Sequence, residues 1–380
     1  MKGGTRKRGD TWSYYFDMGK VDGKRKRKEK GGFRTKKEAE EALNKALNEF
    51  NNCGSVIDES NISVADYFDY WYKEYVMINL KYTTQQFYLT VINNHIKPSF
   101  GAYKLKALTP SVLQNFLNKK SINGFAKSSV KNFYAVLSGA LKAAVYPYQF
   151  IKDNPMQYVK MPRFDTVVSN KDDLKIITLE QFNTIIERFP QGSSFYIPLQ
   201  VAFNTGMRIA EVCGLTWDCV DLDNKTIKVE KILIDKGKGI WEFGTPKTKS
   251  SNRIIPIGDS LVKILKHNQI WQKQNQLKYG KYYKKSNFVC TKENGENITM
   301  NSLKYLSRIV NYELGINFCF HSLRHTHATM LLEAGANIKD IQVRLGHGNL
   351  ATTMDTYSHV TKKMKNDTVN ILENIIATQK

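Results

Sequence analysis

The sequence predicts a multidomain, mainly α protein with small β-sheets. Its order is a small N-terminal three-stranded sheet plus helix, then a helical domain, then a mixed α/β domain. Three observations lead there. At 380 residues the chain is long for one hydrophobic core and suits two or three. Apolar residues recur at helical spacing in stretches begun by Ser or Thr and ended by Pro or Gly. Alternation of apolar and polar residues stands out in two places, near the N-terminus and around residues 226–258.

Residues 1–37 hold 14 Lys and Arg against 4 Asp and Glu, a net +10 out of +22 for the whole chain. Within them, TWSYYFDMG sets Trp12, Tyr14 and Phe16 against Ser13, Tyr15 and Asp17, the period-two pattern of a strand. VDGKRKRKEKGGF reads as a turn and a basic strand ending near Phe33, with Arg25, Lys26, Arg27 and Lys28 as candidate contacts to a polyanion. Thr35 and Glu38 make a capping box for KKEAEEALNKALNEF, whose Ala39, Leu43 and Leu47 share a face. The aromatic alternation and the box favour a folded domain over 1–55 rather than a disordered basic tail. The polar NNCGSVIDESN reads as a linker.

A helical domain is expected over 62–155. Ser63 and Asp66 cap VADYFDYWYKEYV, and a second helix runs from Thr84 to about Ile96, stopped by Pro98. Thr109 and Pro110 supply the N-cap and first position of SVLQNFLNKK. Ser128 starts a fourth helix with an apolar stripe of Val130, Phe133, Leu137, Ala140, Leu141 and Ala144, ending before Pro147. The stripes are core. Lys127, Lys131 and Lys142 fall on polar positions, where they are either solvated charges or phosphate contacts. From Asp153-Asn154-Pro155 to about Lys175 the chain is polar and reads as a second linker.

The third domain spans 174–380. Thr178 and Gln181 cap its first helix. TIKVEKILIDKGKGIWEFGTPKTKSSNRIIPIG then alternates around Gly237 and Gly239, a meander of two or three strands with Lys247 at the turn before the last. Gly335 and Gly346 fall where helix C-caps belong, which divides FHSLRHTHATMLLEAGANIKDIQVRLGHGNLATTMDTYSHV into a compact cluster of short helices. The last helix, TKKMKNDTVNILENII, has Met364, Val369, Ile371, Leu372 and Ile375 as apolar anchors, for its own domain or for another copy.

The charge points to a polyanion, because Lys and Arg neutralise phosphates and release counterions. A membrane would attract the same charge, but no apolar run is long enough to span one, and MKGGTRKRGD lacks the apolar region of a signal peptide. The five cysteines, Cys53, Cys213, Cys219, Cys290 and Cys319, include no CxxC pair and read as reduced thiols of a cytoplasmic protein. Cys319 lies two residues from His321 with no second ligand pair to suggest a metal site.

Chemistry concentrates in the C-terminal half. The helical cluster carries His321, Arg324, His347 and Tyr357; FNTGMRIAEVCGLTW carries Arg208 and Glu211; GTPKTKSSNRIIPI carries Lys247. Taken singly, each has a bland reading as a surface charge, a packed histidine or one of twenty tyrosines. As a set they suit a phosphodiester: Arg grips phosphate oxygens, His moves a proton, and Tyr can attack. The RxxE segment, the KT-type hairpin, the HxxR pair, the LGH turn and the following Tyr resemble the tyrosine recombinase (phage integrase) family. All six of its catalytic positions are filled here.

The resemblance implies roles. Tyr357 would be the nucleophile, Arg208 and Arg324 would hold the non-bridging oxygens, and Lys247 would protonate the departing 5′-oxygen. His321 and His347 would assist, and Glu211 would orient the site. No metal, ATP or other cofactor is implied, since two guanidiniums can do the work that metal ions do in many nucleases. His325, His327 and His359 have no matching role and read as packing or surface residues. Residues 1–55 look like an arm-type DNA-binding domain and 62–155 like the family's core-binding, SAM-like domain. The implied partners are double-stranded DNA attachment sites (core and arm), a homotetramer formed on DNA, a directionality factor and a host DNA-bending protein. The expected protein is the integrase of a temperate phage or an integrative conjugative element. A housekeeping Xer-type recombinase generally lacks an arm-type domain, and a non-cutting regulator of the same fold would not need all six residues. Type IB topoisomerases share the chemistry, so the site alone does not decide between strand exchange and relaxation.

Overall fold

The computed structural model describes residues 3–21, 24–53, 62–164, 175–237, 239–246, 249–346 and 348. The chain divides into two compact units, Met1–Asp165 and Thr166–Lys380. No described helix is long and apolar enough to cross a membrane.

The N-terminal sheet is antiparallel, in the order β1 (Gly3–Arg8), β2 (Thr11–Val21), β3 (Lys24–Phe33), and helix α1 (Lys36–Cys53) follows it. Tyr14 and Phe16 on β2 bury against Leu43 and Ala46 of α1, with Phe33 and Leu47 at the edge. Trp12 leaves this alternation. A register shift between Trp12 and Tyr14 turns it to a half-buried position and buries Ser13 instead, whose hydroxyl donates to Arg6 O at 3.2 Å. At the start of α1, Thr35 Oγ1 accepts from Glu38 N–H at 3.2 Å, while Glu38 Oε2 reaches one residue further back, to Arg34 N–H at 3.0 Å. Asn51, Asn52 and Cys53, expected in the linker, continue the helix, because no breaker precedes Gly54.

The helical domain begins with α2 (Val64–Trp71), capped by Ser63 Oγ on Asp66 N–H at 3.1 Å and extended through a π turn to Asn79. Helix α3 (Tyr82–Val91) runs through a second π turn at Ile92–Ile96 into Lys97–Phe100. Pro98 therefore does not stop it. The wider turn directly before Pro98 gives the ring room and relieves the clash that a regular α turn would impose. Helix α4 (Pro110–Ile122) starts at the expected Thr109 cap, and α5 (Lys127–Val145) buries its whole predicted stripe. Each Val, Leu or Phe of the stripe removed from water contributes about 1.5–3 kcal/mol. The packing of this core continues past residue 155. Met156 and Val159 are buried in this core, and Gln114 pairs with the Lys160 backbone through bonds of 2.9 and 2.8 Å.

In the second unit, α6 (Leu179–Arg188) has the predicted Thr178–Gln181 box, and α7 (Tyr196–Thr205) and α8 (Ile209–Cys213) follow. The expected single meander is two separate sheets. Strands β4 (Val220–Asp221), β5 (Thr226–Val229) and β8 (Arg253–Pro256) form one, with Ile227 opposite Ile255; β6 (Ile232–Gly237) and β7 (Ile240–Gly244) form a hairpin of their own. Apolar residues decide the pairing: Ile255 is buried beside Ile227 and Val229, whereas Ile240 and Phe243 of β7 stay exposed. Helices α9 (Asp259–Tyr279), α10 (Met300–Glu313), α11 (Ser322–Glu333) and α12 (Ile338–Leu345) complete the described fold, with α11 packed on α7.

Candidate active site

The site is built around the end of α7 and the end of α12. Gly206 closes α7 at φ 66°, and a Cβ there would lie 2.7 Å from Leu345 Cδ2 and 2.9 Å from His327 Cδ2. Only glycine fits that conformation and that crossing. Two residues on, Arg208 is the N-cap of α8. Its N–H donates to Glu211 Oε2 at 2.9 Å, its Nη1 to Glu211 Oε1 at 2.8 Å, and its Nη2 to Gly346 O at 3.0 Å. The side chain keeps 34 % of its surface exposed, so it is anchored and still accessible.

Arg324, on α11, is only 2 % exposed. Its Nη1 donates to Gly206 O and its Nη2 to Leu345 O, both at 2.8 Å. Such a buried cation is tolerable because carbonyl dipoles replace its hydration, and α12 presents the negative end of its macrodipole there. Gly346 caps α12 at φ 69°, the left-handed turn that ends the helix and turns its last carbonyls toward the arginines.

Glu211 is 2 % exposed and meets a third arginine, Arg253, 4 % exposed, at the start of β8. Arg253 Nη2 and Nη1 reach the two carboxylate oxygens at 2.9 and 3.2 Å. Burial alone would raise the Glu211 pKa, but the hydrogen bonds and charge of Arg253, then Arg208, hold it below the usual carboxylate range.

His321 begins α11 with an exposed surface. Partial withdrawal from water, then the Arg324 and Arg208 cations, push its pKa down, with Glu211 opposing. This favours its neutral form, which is able to accept a proton. The His325 ring meets it edge-on, with 4.7 Å between centroids, and is itself pushed down to about 4, chiefly by burial. His327 is a polar anchor inside the fold: Nδ1 lies 2.8 Å from Phe203 O and Nε2 accepts from Arg344 Nε at 2.9 Å, which fixes Nδ1 as the protonated nitrogen. Arg344 also donates to Pro256 O and Asn204 O at 3.0 Å.

Four predicted residues, Arg208 and Glu211 of α8 and His321 and Arg324 of α11, are thus brought together against the carbonyls at the end of α12. Lys247, His347, Tyr357 and the C-terminal helix lie outside the described residues. In the N-terminal sheet, Arg25 pairs with Lys20 and Lys26 with Gly19 in the strand register, and the side chains of both lie outside the described set. The Arg27 guanidinium sits 3.7 Å over the Tyr15 ring, exposed, and Lys28 is half-buried. Lys127 and Lys131 are exposed, one turn apart on α5.

Sequence reasoning missed Arg253, Arg344 and the anchoring of His327. Arg253 stands inside a quoted motif, just before the IPI residues, but nothing in its spacing marks it as buried. Among the described residues, Asp218, Cys219 and Glu230 bring possible ligand atoms within 4.8 Å of one another. Lys231 on Asp218 at 2.5 Å and Lys228 on Glu230 at 2.6 Å already neutralise that set, which suits it poorly to a cation.

The profile described as the phage integrase family matches residues 174–364. The chain belongs to the phage integrase family. The family's N-terminal SAM-like domain matches residues 63–121 and an arm DNA-binding domain matches residues 5–50. A tyrosine recombinase XerC-like protein of Caldanaerobacter subterraneus subsp. tengcongensis is 31 % identical over 374 residues, covering 93 % of each chain. The integrase of Staphylococcus phage L54a is 27 % identical over 326 residues, covering 81 % of this chain and 92 % of its own. Among solved structures, the Tn1549 transposon integrase in complex with transposon right end DNA has a TM-score of 0.63 at 21 % identity, covering 82 % of this chain and 100 % of that one, a likeness of fold. This integrase-family chain is accordingly a tyrosine-type site-specific recombinase.

Proposed function

We propose that the protein integrates and excises a mobile element, cutting and rejoining duplex DNA through a 3′-phosphotyrosyl intermediate. The observation that carries this reading is the pair of guanidiniums, Arg208 and Arg324, fixed by neighbouring carbonyls of α12 with His321 at the start of the helix that carries Arg324. Two fixed cations stabilise the charge that builds on a pentacoordinate phosphorus without reorganising. Tyr357 attacks, Lys247 protonates the leaving 5′-oxygen, His321 takes or shares a proton, and His347 donates a further hydrogen bond. The phosphotyrosyl link conserves the bond energy, so a 5′-hydroxyl from another duplex reverses the step without ATP.

Arm and core attachment sites are the proposed partners. The basic sheet faces arm DNA through the exposed Arg27 and its neighbours, and Lys127 and Lys131 face core DNA. A homotetramer on DNA, coupled by the tail helix, and accessory directionality and DNA-bending proteins complete the assembly. The arm-type domain favours this reading over a Xer-type recombinase. The test uses nicked suicide duplexes cut from the DNA that flanks the gene. Full-length protein should form an SDS-resistant adduct on one of them, and should protect an extra stretch of the attachment region that a protein lacking residues 1–55 does not protect. Identical footprints would remove the arm-site function, and no adduct on any duplex would remove the cleavage reading.

A further inference from the structure

Three consecutive carbonyls at the end of α12 each accept from a different arginine. Arg344 O takes Arg253 Nε at 2.6 Å, Leu345 O takes Arg324 Nη2 at 2.8 Å, and Gly346 O takes Arg208 Nη2 at 3.0 Å. The final carbonyls of a helix have no partner inside it, so this row is a ready set of acceptors. Two of the three arginines are the proposed phosphate ligands. The third has no place in the proposed chemistry.

We propose that Arg253 is a positioning residue for strand cleavage, which fixes the carboxylate that orients Arg208 and closes the carbonyl row that both phosphate-binding arginines use. The inference rests on the reading of Arg208 and Arg324 as phosphate ligands. What sets Arg253 apart from those two is that its bonds to a carboxylate and to carbonyls leave it almost no free donor. Arg253 commits four of its five N–H donors inside the protein: Nε to Arg344 O, Nη1 to Ser251 O at 3.1 Å and to Glu211 Oε1, Nη2 to Glu211 Oε2. Each Glu211 oxygen therefore accepts from both Arg208 and Arg253. That fills the roughly four lone-pair sites of a carboxylate, so Glu211 is a bracket between two arginines and has no capacity left to move protons.

The packing is tight on the far side as well. A Cβ on Gly346 would come within 3.1 Å of Arg253 Cδ and Nη1, so the glycine lets the α12 turn close against the guanidinium. Arg253 stands six residues after Lys247 in the sequence, and it ties the strand that follows the Lys247 segment to Arg208. Lysine cannot replace it, because one ammonium cannot span two carboxylate oxygens and two carbonyls at once.

The test compares full-length wild type, Arg253→Lys, Glu211→Gln and the double variant on the nicked suicide duplexes from the flanking DNA. Arg253→Lys should bind DNA within about threefold of wild type and form adduct about 10²-fold more slowly at a temperature where it is folded. The double variant should be no more than about threefold slower than the worse single one, because the two residues act as one unit. An adduct rate for Arg253→Lys within threefold of wild type, or multiplying effects in the double variant, overturns the proposal. A readout free of variants and of cutting is the side-chain NMR spectrum of DNA-free wild type. Arg253 Nε–H should resist solvent exchange, and exchange as fast as that of the exposed Arg27 overturns the proposal even if the enzyme cuts. Wild type that forms no adduct sinks the recombinase reading instead, and the NMR result then judges the Arg253 network by itself.

Discussion

Arg27 in the N-terminal sheet and Arg324 in the C-terminal unit carry the same guanidinium into opposite surroundings. Arg27 is exposed and lies over the Tyr15 ring at 3.7 Å, beside an exposed Arg6–Glu29 pair at 2.6 Å. Arg324 is 2 % exposed and held by Gly206 O and Leu345 O. A solvated cation adds affinity through counterion release, one contact at a time and screened by salt. A buried cation cannot be exchanged or screened in that way, and its effect depends on a fixed direction. The sheet is therefore built for additive affinity and the catalytic unit for geometry.

The sharpest break should come at the proposed nucleophile. Tyr357→Phe is expected to abolish the SDS-resistant adduct while core-site binding changes by no more than about threefold, since only the attacking oxygen is lost. In the wild type the adduct should persist in excess EDTA, because the arginines supply the positive charge; dependence on an added divalent ion would contradict that division of labour.

Arg324→Ala should come next. It leaves Gly206 O and Leu345 O buried without their donor, at a cost of about 3 kcal/mol in stability, readable as a lower urea midpoint. Cleavage below the new melting temperature should fall by about 10³-fold. Arg27→Ala should do neither, and a comparable loss of stability there would erase the distinction between the two regions.

A smaller effect concerns pH. His327 and His325 are each pushed down to about 4, chiefly by burial, from an unfolded value of about 6.5. The folded state binds fewer protons than the unfolded one in that window, so their contribution is fully present above about 6.5 and is lost as pH falls toward 4. Each histidine should remove roughly 1.4 kcal/mol per pH unit there. His327→Gln cannot titrate and should flatten the stability profile between pH 6.5 and 4; an unchanged slope would mean that His327 is not the buried neutral group described. The smallest effect is Arg27→Ala on arm-site binding. It should reduce the salt slope, d log K/d log[salt], by about 0.9 in magnitude if the residue meets one phosphate.

Much of the fold was legible because its signals are local. The caps at Ser63, Thr109 and Thr178, the α5 stripe and the Tyr14–Phe16 face are encoded within one turn or one strand pair. The misses are places where a neighbour decided. Pro98 was accommodated by a π turn, Trp12 was displaced by a register shift, and β8 passed over the adjacent β7 to pair with β5. In the candidate site, Arg208, Glu211, His321 and Arg324 could be read from residue type and order. Arg253 and Arg344 could not, because an arginine in a sequence gives no sign of burial.

By itself, then, the sequence determined the chemistry on offer: a basic N-terminal sheet, a helical domain, and an ordered set of Arg, Lys, His and Tyr suited to a phosphodiester. Only the tertiary structure decided which cations are held and by what. The reason is physical. A guanidinium becomes directional when burial removes its water and fixed acceptors replace it, and those acceptors are backbone carbonyls at residues 206, 344, 345 and 346. Every residue has a carbonyl, so no pattern of side chains announces which ones will point inward; the meeting of two helix ends at Gly206 and Gly346 does.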